Sequence, residues 1–442
     1  MYSVEIKHFI FLIILDVCNG EDGRRIVNGH TVTQYKKYVV YLAKADIDPQ
    51  SYDAWLCGGA LVSSTFIITS AACVEDVKHL YVIAGYDQYV TKEEMDQNEC
   101  VKKTKKKVIY TCVPKSYELD YARLDKWAFI DIALVKVESP YSPNDIAFKI
   151  CSYIPEWIPI NYEMKYQEPG VDAIVLGWGH TQLWRKPNDT RNYNQKYLRY
   201  GSTMIQDKRD CKRHYEVYTN MTYVIDNYMI CTHRGGNIDD NGELIVNSPK
   251  NASGCMSTDH DYAKNPEGFP LVSCEELDEE VDETNGYYDL RDRTRKDYGD
   301  YHRPPELHLT DTKAPYQPGI CQNDHGGPLV TWVGAHEVLI GVASVFKVDS
   351  DYLCMGPYLY TSTQCNGAFL SCILESNNYT QKHERTGKYR RELCDSPPEE
   401  KGYDTVERHI SWMNHPDGPA DNEKFQMRPQ RPLRGVNRNI QH

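Results

Sequence analysis

The sequence predicts an all-β protein built of barrels. Strand-like runs of β-branched and aromatic residues recur along the chain, each bounded by polar turns. Long helical periodicities are few. Runs this numerous call for closed sheets, because closure removes the exposed edges that invite chain-to-chain pairing.

The first segment, residues 1–20, reads as a signal peptide. Lys7 precedes a seven-residue apolar run at 9–15, and small or polar residues follow to Gly20. The run is too short to span a bilayer, and no later stretch reaches about 18 apolar residues. EDGRR and then IVNG follow, ending at Gly29. The strand runs are YVVYLAK from Tyr38, ALVSSTFIITSA from Ala60, LYVIAG from Leu80 and IALVKV from Ile132, then AIVLGWG from Ala173, VLIGVASVF from Val338 and YLYTS from Tyr358.

Two segments break this pattern. Between Cys231 and Cys321 lie 89 residues of little periodicity, with an acidic run EELDEEVDE at 275–283 and a Tyr-, Asp- and Arg-rich stretch at 287–301. A structureless stretch of that length inside a compact domain reads as an insertion, at about 234–318. A polar stretch at 376–402 precedes DTVERHISWMN, where Val406, Ile410 and Met413 share one helical face beside Trp412; a short C-terminal helix is expected there. Residues 416–442 end in RPQRPLRGVNRNIQH and read as a basic disordered tail. KKTKKK at 102–107 reads as a solvated charge run, with a polyanion contact as the alternative.

A net charge of −13 argues against nucleic acid or an anionic membrane as the main partner. The 34 tyrosines against 9 phenylalanines suit exposed interaction loops, since a Tyr ring is apolar and its tip polar. Fifteen cysteines are too many for an ordinary cytosolic enzyme. If Cys18 leaves with the signal peptide, an even number remains for disulfides. Four glycosylation sequons begin at Asn188, Asn220, Asn251 and Asn378. A secreted, extracellular glycoprotein is the expectation. Neither a CxxC pair nor HExxH suggests zinc, so neither metal nor cofactor is expected.

RIVNG, CGGALVSSTFIITSAAC, DIALVKV, LGWG, MIC, CQNDHGGPL and GVASVF occur in that order. Together they resemble the chymotrypsin/trypsin-like serine proteases over residues 26–415, the insertion aside. The resemblance implies two six-stranded antiparallel β-barrels. It makes residues 21–25 a short propeptide cleaved after Arg25. It also implies the disulfides Cys57–Cys73, Cys211–Cys231 and Cys321–Cys354. Cys100–Cys112 and Cys255–Cys274 are pairings suggested only by proximity, while Cys151, Cys365, Cys372 and Cys394 cannot be paired from sequence.

The family's mechanism needs a hydroxyl nucleophile, an imidazole base and a carboxylate that orients the imidazole. Along the motifs these positions hold His325, Ala72 and Asp131. Alanine has no proton acceptor, so two of three members are replaced. Losing either nucleophile or base costs about 10⁶ in turnover, and losing both costs little more. Asn323 stands at the oxyanion-hole glycine, where a side chain is expected to disturb the backbone. The pocket positions are Gly319 at its base, Ser344, Val345 and Phe346 along one wall, and Tyr358. Aromatic rings at Phe346 and Tyr358, where the family has glycine, are expected to fill it. Asp324 is retained, as is Ile26 after Arg25. In the family the ammonium freed at this Ile pairs with this Asp, and a buried carboxylate needs such a partner.

The resulting reading is a secreted serine protease homologue without proteolytic activity, acting by binding an extracellular protein through the 234–318 insertion. A cofactor or decoy role in an extracellular protease cascade rests on analogy alone. The rivals are a serine-type endopeptidase with altered chemistry centred on His325, and a structural secreted matrix protein.

Overall fold

The computed structural model describes residues 29–46, 54–75, 77–186, 188–245, 318–380 and 405–424. The predicted signal peptide, the propeptide with Arg25, Ile26, Asn251, the Cys255–Cys274 pairing and most of the predicted insertion and tail lie outside them.

After a two-residue strand β1 (His30–Thr31), the first barrel is built from β2 (Val39–Lys44), β3 (Leu56–Leu61), β4 (Phe66–Thr69), β5 (Leu80–Ile83), β6 (Lys106–Pro114) and β7 (Ala133–Val137). The second uses β8 (Asp172–Gly177), β9 (Arg199–Ile205), β10 (Met229–Gly235), β11 (Pro328–Val333), β12 (His336–Val348) and β13 (Cys354–Ser362). All pairings are antiparallel. The first sheet runs β6-β5-β2-β3-β4-β7 and closes by β6 on β7; the second runs β9-β10-β13-β12-β11-β8 and closes by β8 on β9. Each barrel carries one extra strand, β1 on β9 and β14 (Thr405–His409) on β6.

The strands are buried on both faces, which explains why they read as continuous apolar runs. Val40 and Leu42 of β2 point into the first barrel, while Val39, Tyr41 and Ala43 enter a cluster that includes Ile174, Leu176, Val330 and Val342 of the second. Ala173 and Val175 fill the second barrel with Leu329, Ile340 and Tyr360. This period-2 division is what a sheet sandwiched between two apolar layers requires. The long run from Ala60 is two strands, β3 and β4. Ser63 Oγ turns the chain between them by accepting from Thr65 N at 3.3 Å and Phe66 N at 3.0 Å.

The expected C-terminal helix at 404–414 is instead strand β14, paired with β6 from Thr405↔Pro114 to His409↔Tyr110. Val406, Ile410 and Trp412 share parity, which is the strand period as well as an imperfect helical face. Met413, which the helical face needs, is exposed at 38%, while Trp412 is fully buried. A longer helix forms over Gly367–Thr380, directly after the second barrel. Residues 416–424, expected as the start of the tail, pack on the first barrel. Glu423 there accepts from Ser411 Oγ at 2.6 Å, Trp412 N at 3.1 Å and Ala420 N at 3.0 Å.

Four disulfides join pairs of described residues, Cys57–Cys73, Cys211–Cys231, Cys321–Cys354 and Cys100–Cys151, and Cys372 is also disulfide-bonded. The proximity pairing Cys100–Cys112 is therefore wrong. Cys112 lies in β6, its side chain buried in the core, while Cys100 sits in a short helix, Glu99–Thr104, that faces Cys151. The lysine run at 102–107 is largely absorbed by structure. Lys105 pairs with Asp96 at 2.9 Å, Lys106 donates to Ser139 Oγ at 2.7 Å, and Lys107 donates to the carbonyl of Gly418 at 2.7 Å. Residues 234–245, expected to open the insertion, finish β10 and dock onto the chain after β1. Buried Asp240 accepts from Thr33 N at 2.6 Å and Thr33 Oγ1 at 2.9 Å.

Candidate functional site

The three positions singled out by the motifs converge where the barrels meet. Ala72 opens the short helix Ala72–Glu75 after β4, Asp131 immediately precedes β7, and His325 precedes β11. The loop carrying His325 is clamped to the first barrel. Gly58 N donates to the His325 carbonyl at 2.7 Å. A Cβ on Gly58 would lie 2.6 Å from Gly327 Cα, so backbone meets backbone here.

Asp131 is fully buried. Its Oδ1 accepts from Ser70 Oγ at 2.6 Å and from Ala72 N at 2.9 Å, and its Oδ2 accepts from Ser344 Oγ at 2.7 Å. Neutral donors thus occupy the carboxylate that an imidazole at position 72 would otherwise engage. Ile130, just before it, has φ +54°, a left-handed conformation that a β-branched residue adopts only at a cost of about 1–3 kcal/mol. Ile132 N closes back on the Ile130 carbonyl at 2.8 Å, so Asp131 sits on a tight, strained turn.

His325 points its ring between two aromatic side chains, with centroids 5.0 Å from Trp127 and 5.9 Å from Phe346. Its Nε2 is buried without a hydrogen-bond partner among the described residues. Burial pushes its pKa below the ordinary histidine value; the Asp131 charge and a hydrogen bond to the Ser344 backbone act the other way. Burial thus favours the neutral form of a ring that packs between two aromatic side chains.

Asn323 corrects one expectation. Its side chain does not block the glycine-like backbone: φ is +71°, in the left-handed region that Asn tolerates better than most residues. The side chain instead turns inward, where Nδ2 donates to Asn194 Oδ1 at 2.8 Å and to the Ala54 carbonyl at 3.1 Å. His180 Nε2 lies 3.4 Å from the same Nδ2, and burial lowers the His180 pKa to about 4. Asp324 is also buried, with Oδ1 accepting from Gly179 N at 2.8 Å and Oδ2 from Cys321 N at 3.1 Å. Burial raises its pKa to about 7, against the pull of those two amides. A Cβ on Gly177 or Gly179 would collide with its Oδ1, at 2.2 and 2.5 Å.

At the pocket positions, the Tyr358 ring lies against Gly319, where a Cβ would meet it at 2.0 Å. Tyr358 is itself fully buried. Phe346 is only half-buried and packs on the Cys321–Cys354 disulfide and on Trp184, with centroids 5.7 Å apart. Val345 packs with Tyr215 and Leu359, and Ser344 serves Asp131 rather than a pocket wall. Of the sequons, Asn188 and Asn220 are exposed; Asn378 falls in the helix Gly367–Thr380.

Sequence reasoning missed Ser70, Trp127 and His180. Ser70 lies within the quoted TSAAC string, and Trp127 stands four residues before Asp131, so position was a usable signal for both. His180 follows LGWG directly, but its contact with Asn323 spans 143 residues and leaves no local trace.

The family model described as Trypsin matches residues 26–243. Granzyme E of Mus musculus is 27% identical over 218 residues, covering 49% of this chain and 74% of that protein. Venom serine protease 34 of Apis mellifera is 29% identical over 168 residues, covering 38% of this chain and 37% of that protein, so the match spans little more than a third of its length. A solved inactivated protease paralogue from the scabies mite aligns with 77% of this chain and 93% of its own at 14% identity and a TM-score of 0.41, too shallow a likeness to bear on activity. Closed double barrel, ordered motifs and model match agree: the chain has the trypsin-like fold, and its residues 26–243 match the trypsin family.

Proposed function

We propose that this chain is a secreted trypsin-fold protein without endopeptidase activity, and that it acts by binding an extracellular protein. One observation carries the first part. The nucleophile position holds a half-buried imidazole packed between Trp127 and Phe346, while alanine stands at the base position and the orienting carboxylate accepts from Ser70, Ala72 N and Ser344. A general base must reach the proton it removes, and among the described residues no hydroxyl stands within hydrogen-bond reach of His325 Nε2 for it to activate. Tyr358 against Gly319 supports the same reading, because an arginine or large aromatic side chain finds no room there.

Secretion is supported by the apolar N-terminal run, the sequons and four disulfides, and by the match to a venom protease. The partner surface we assign to the 234–318 segment, whose acidic and Tyr-rich composition suits protein contact. A protease or its substrate is the partner class that the family analogy suggests.

The test is fluorophosphonate labelling and turnover of mixed peptide substrates, before and after cleavage at Arg25. No labelling and no turnover are expected in either form. Turnover that disappears in His325→Ala would overturn the reading in favour of an endopeptidase with altered chemistry.

A further inference from the structure

Far from the former active site, three side chains from distant parts of the chain meet at the rim of the first barrel. Asp46 follows β2, His79 precedes β5, and His415 lies in the segment after β14. Their ligand atoms all lie within 4.8 Å of one another. The geometry points to a divalent transition-metal site at Asp46, His79 and His415, of the zinc class, that pins the C-terminal segment to the first barrel.

The argument begins with donors and acceptors. His79 Nε2 lies 3.1 Å from the Ser411 carbonyl, which can only accept, so Nε2 carries the ring proton. Nδ1 then presents its lone pair to both oxygens of Asp46, each at 3.1 Å. An acceptor facing two acceptors is stable only with a cation between them, a proton or a metal ion. His415 Nε2 approaches the same carboxylate at 3.2 Å. On the far side of that ring, the Asp417 amide donates to Nδ1 at 3.2 Å, and the Asp417 carboxylate lies 3.7 Å from the same nitrogen. Metal-bound histidines commonly send their other nitrogen to a carbonyl or carboxylate; His79 has the Ser411 carbonyl in place, while His415 changes tautomer on binding, its Nδ1 proton turning to the Asp417 carboxylate 3.7 Å away.

The spacing fits. Zinc bonds of about 2.0–2.1 Å in a tetrahedron put ligand atoms roughly 3.3 Å apart. The two edges from Asp46 are 3.1 and 3.2 Å. The third, between the histidines, lies within 4.8 Å and shortens on binding in this proposal. Two imidazoles and one carboxylate suit a borderline divalent cation rather than calcium or magnesium. The histidines are buried, with side chains 8% and 5% exposed, while Asp46 is 37% exposed, leaving a solvent-facing position for water. Trp412 walls the site, its ring 4.7 Å from His79 and 4.6 Å from His415. The sequence hid this site because Asp46 and His415 stand 369 residues apart.

The test uses the full-length, untagged protein, stripped with a chelator and titrated with Co²⁺. A tetrahedral visible absorption spectrum that Zn²⁺ abolishes is expected, together with a higher Tm on adding Zn²⁺. Asp46→Asn and His415→Gln should each weaken binding by about tenfold or more and remove the Tm shift. Asp46 is at the surface, so its variant should unfold within a few degrees of the parent without metal. No tetrahedral spectrum, or the same spectrum and affinity in both variants, overturns the proposal.

Discussion

At the scale of single residues, Asp324 and His325 are neighbours with opposite fates. His325 was legible in CQNDHGGPL as a replaced nucleophile, but its cage was not, because Trp127 and Phe346 reach it from separate strands and loops. Asp324 looks like an intact family residue, and its energetics can be tested. Its folded pKa of about 7 lies above the unfolded value of about 3.9. The folded state therefore binds more protons than the unfolded state between these values, and its contribution to stability is lost as pH rises from about 4 to about 7. In the chain not cleaved at Arg25, Asp324→Asn should raise Tm at pH 8 by several degrees and leave Tm little changed at pH 4. His180, with its pKa lowered to about 4, contributes the opposite slope between about 6.5 and 4, so the quantity to read is the difference between variant and parent at each pH. A variant less stable than its parent at pH 8 contradicts this account. If the Ile26 ammonium pairs with Asp324 after cleavage, as the family resemblance implies, the same substitution should destabilise the cleaved form.

At the scale of elements, the strands were legible because each is apolar on both faces, and the barrels followed from their number and the ordered motifs. The C-terminal element was misread for a physical reason. Val406, Ile410 and Trp412 satisfy both periods, and only the neighbouring edge of β6 decides between them. That edge needs a partner, and β14 supplies it. The segment is consequently part of the first barrel, with Trp412 as its anchor: the ring is fully buried and Nε1 donates to the Val108 carbonyl at 2.8 Å. Trp412→Ala should cost about 3–5 kcal/mol, read as a fall in Tm in thermal unfolding without added metal. A cost below about 1 kcal/mol would show that the segment is an accessory to the barrel rather than part of it.

At the scale of the whole molecule, the proposed function gives the two barrels and the segment between Cys231 and Cys321 separate tasks. Among the described residues, the five buried clusters are built from the two barrels and the elements packed on them. The last described anchor before that segment is Asp240, held by Thr33 and capped by the Lys36 ammonium on its carbonyl, and the first after it is Gly319 under Tyr358. The described core thus belongs to the barrels, each closed by its own strands. Replacing residues 246–315 by a short Gly/Ser linker should leave near-ultraviolet circular dichroism unchanged and Tm within a few degrees, since lengthening or shortening such a connection costs only about 0.6 kcal/mol per doubling. Capture from native extracellular fluid should separate the tasks: the intact chain retains its partner protein and the shortened chain does not. Loss of the fold with the deletion would place part of the core's support in that segment. Capture that survives the deletion would move the binding surface to the barrels themselves, with the half-buried Phe346 and its exposed neighbour Trp184 as the first residues to replace.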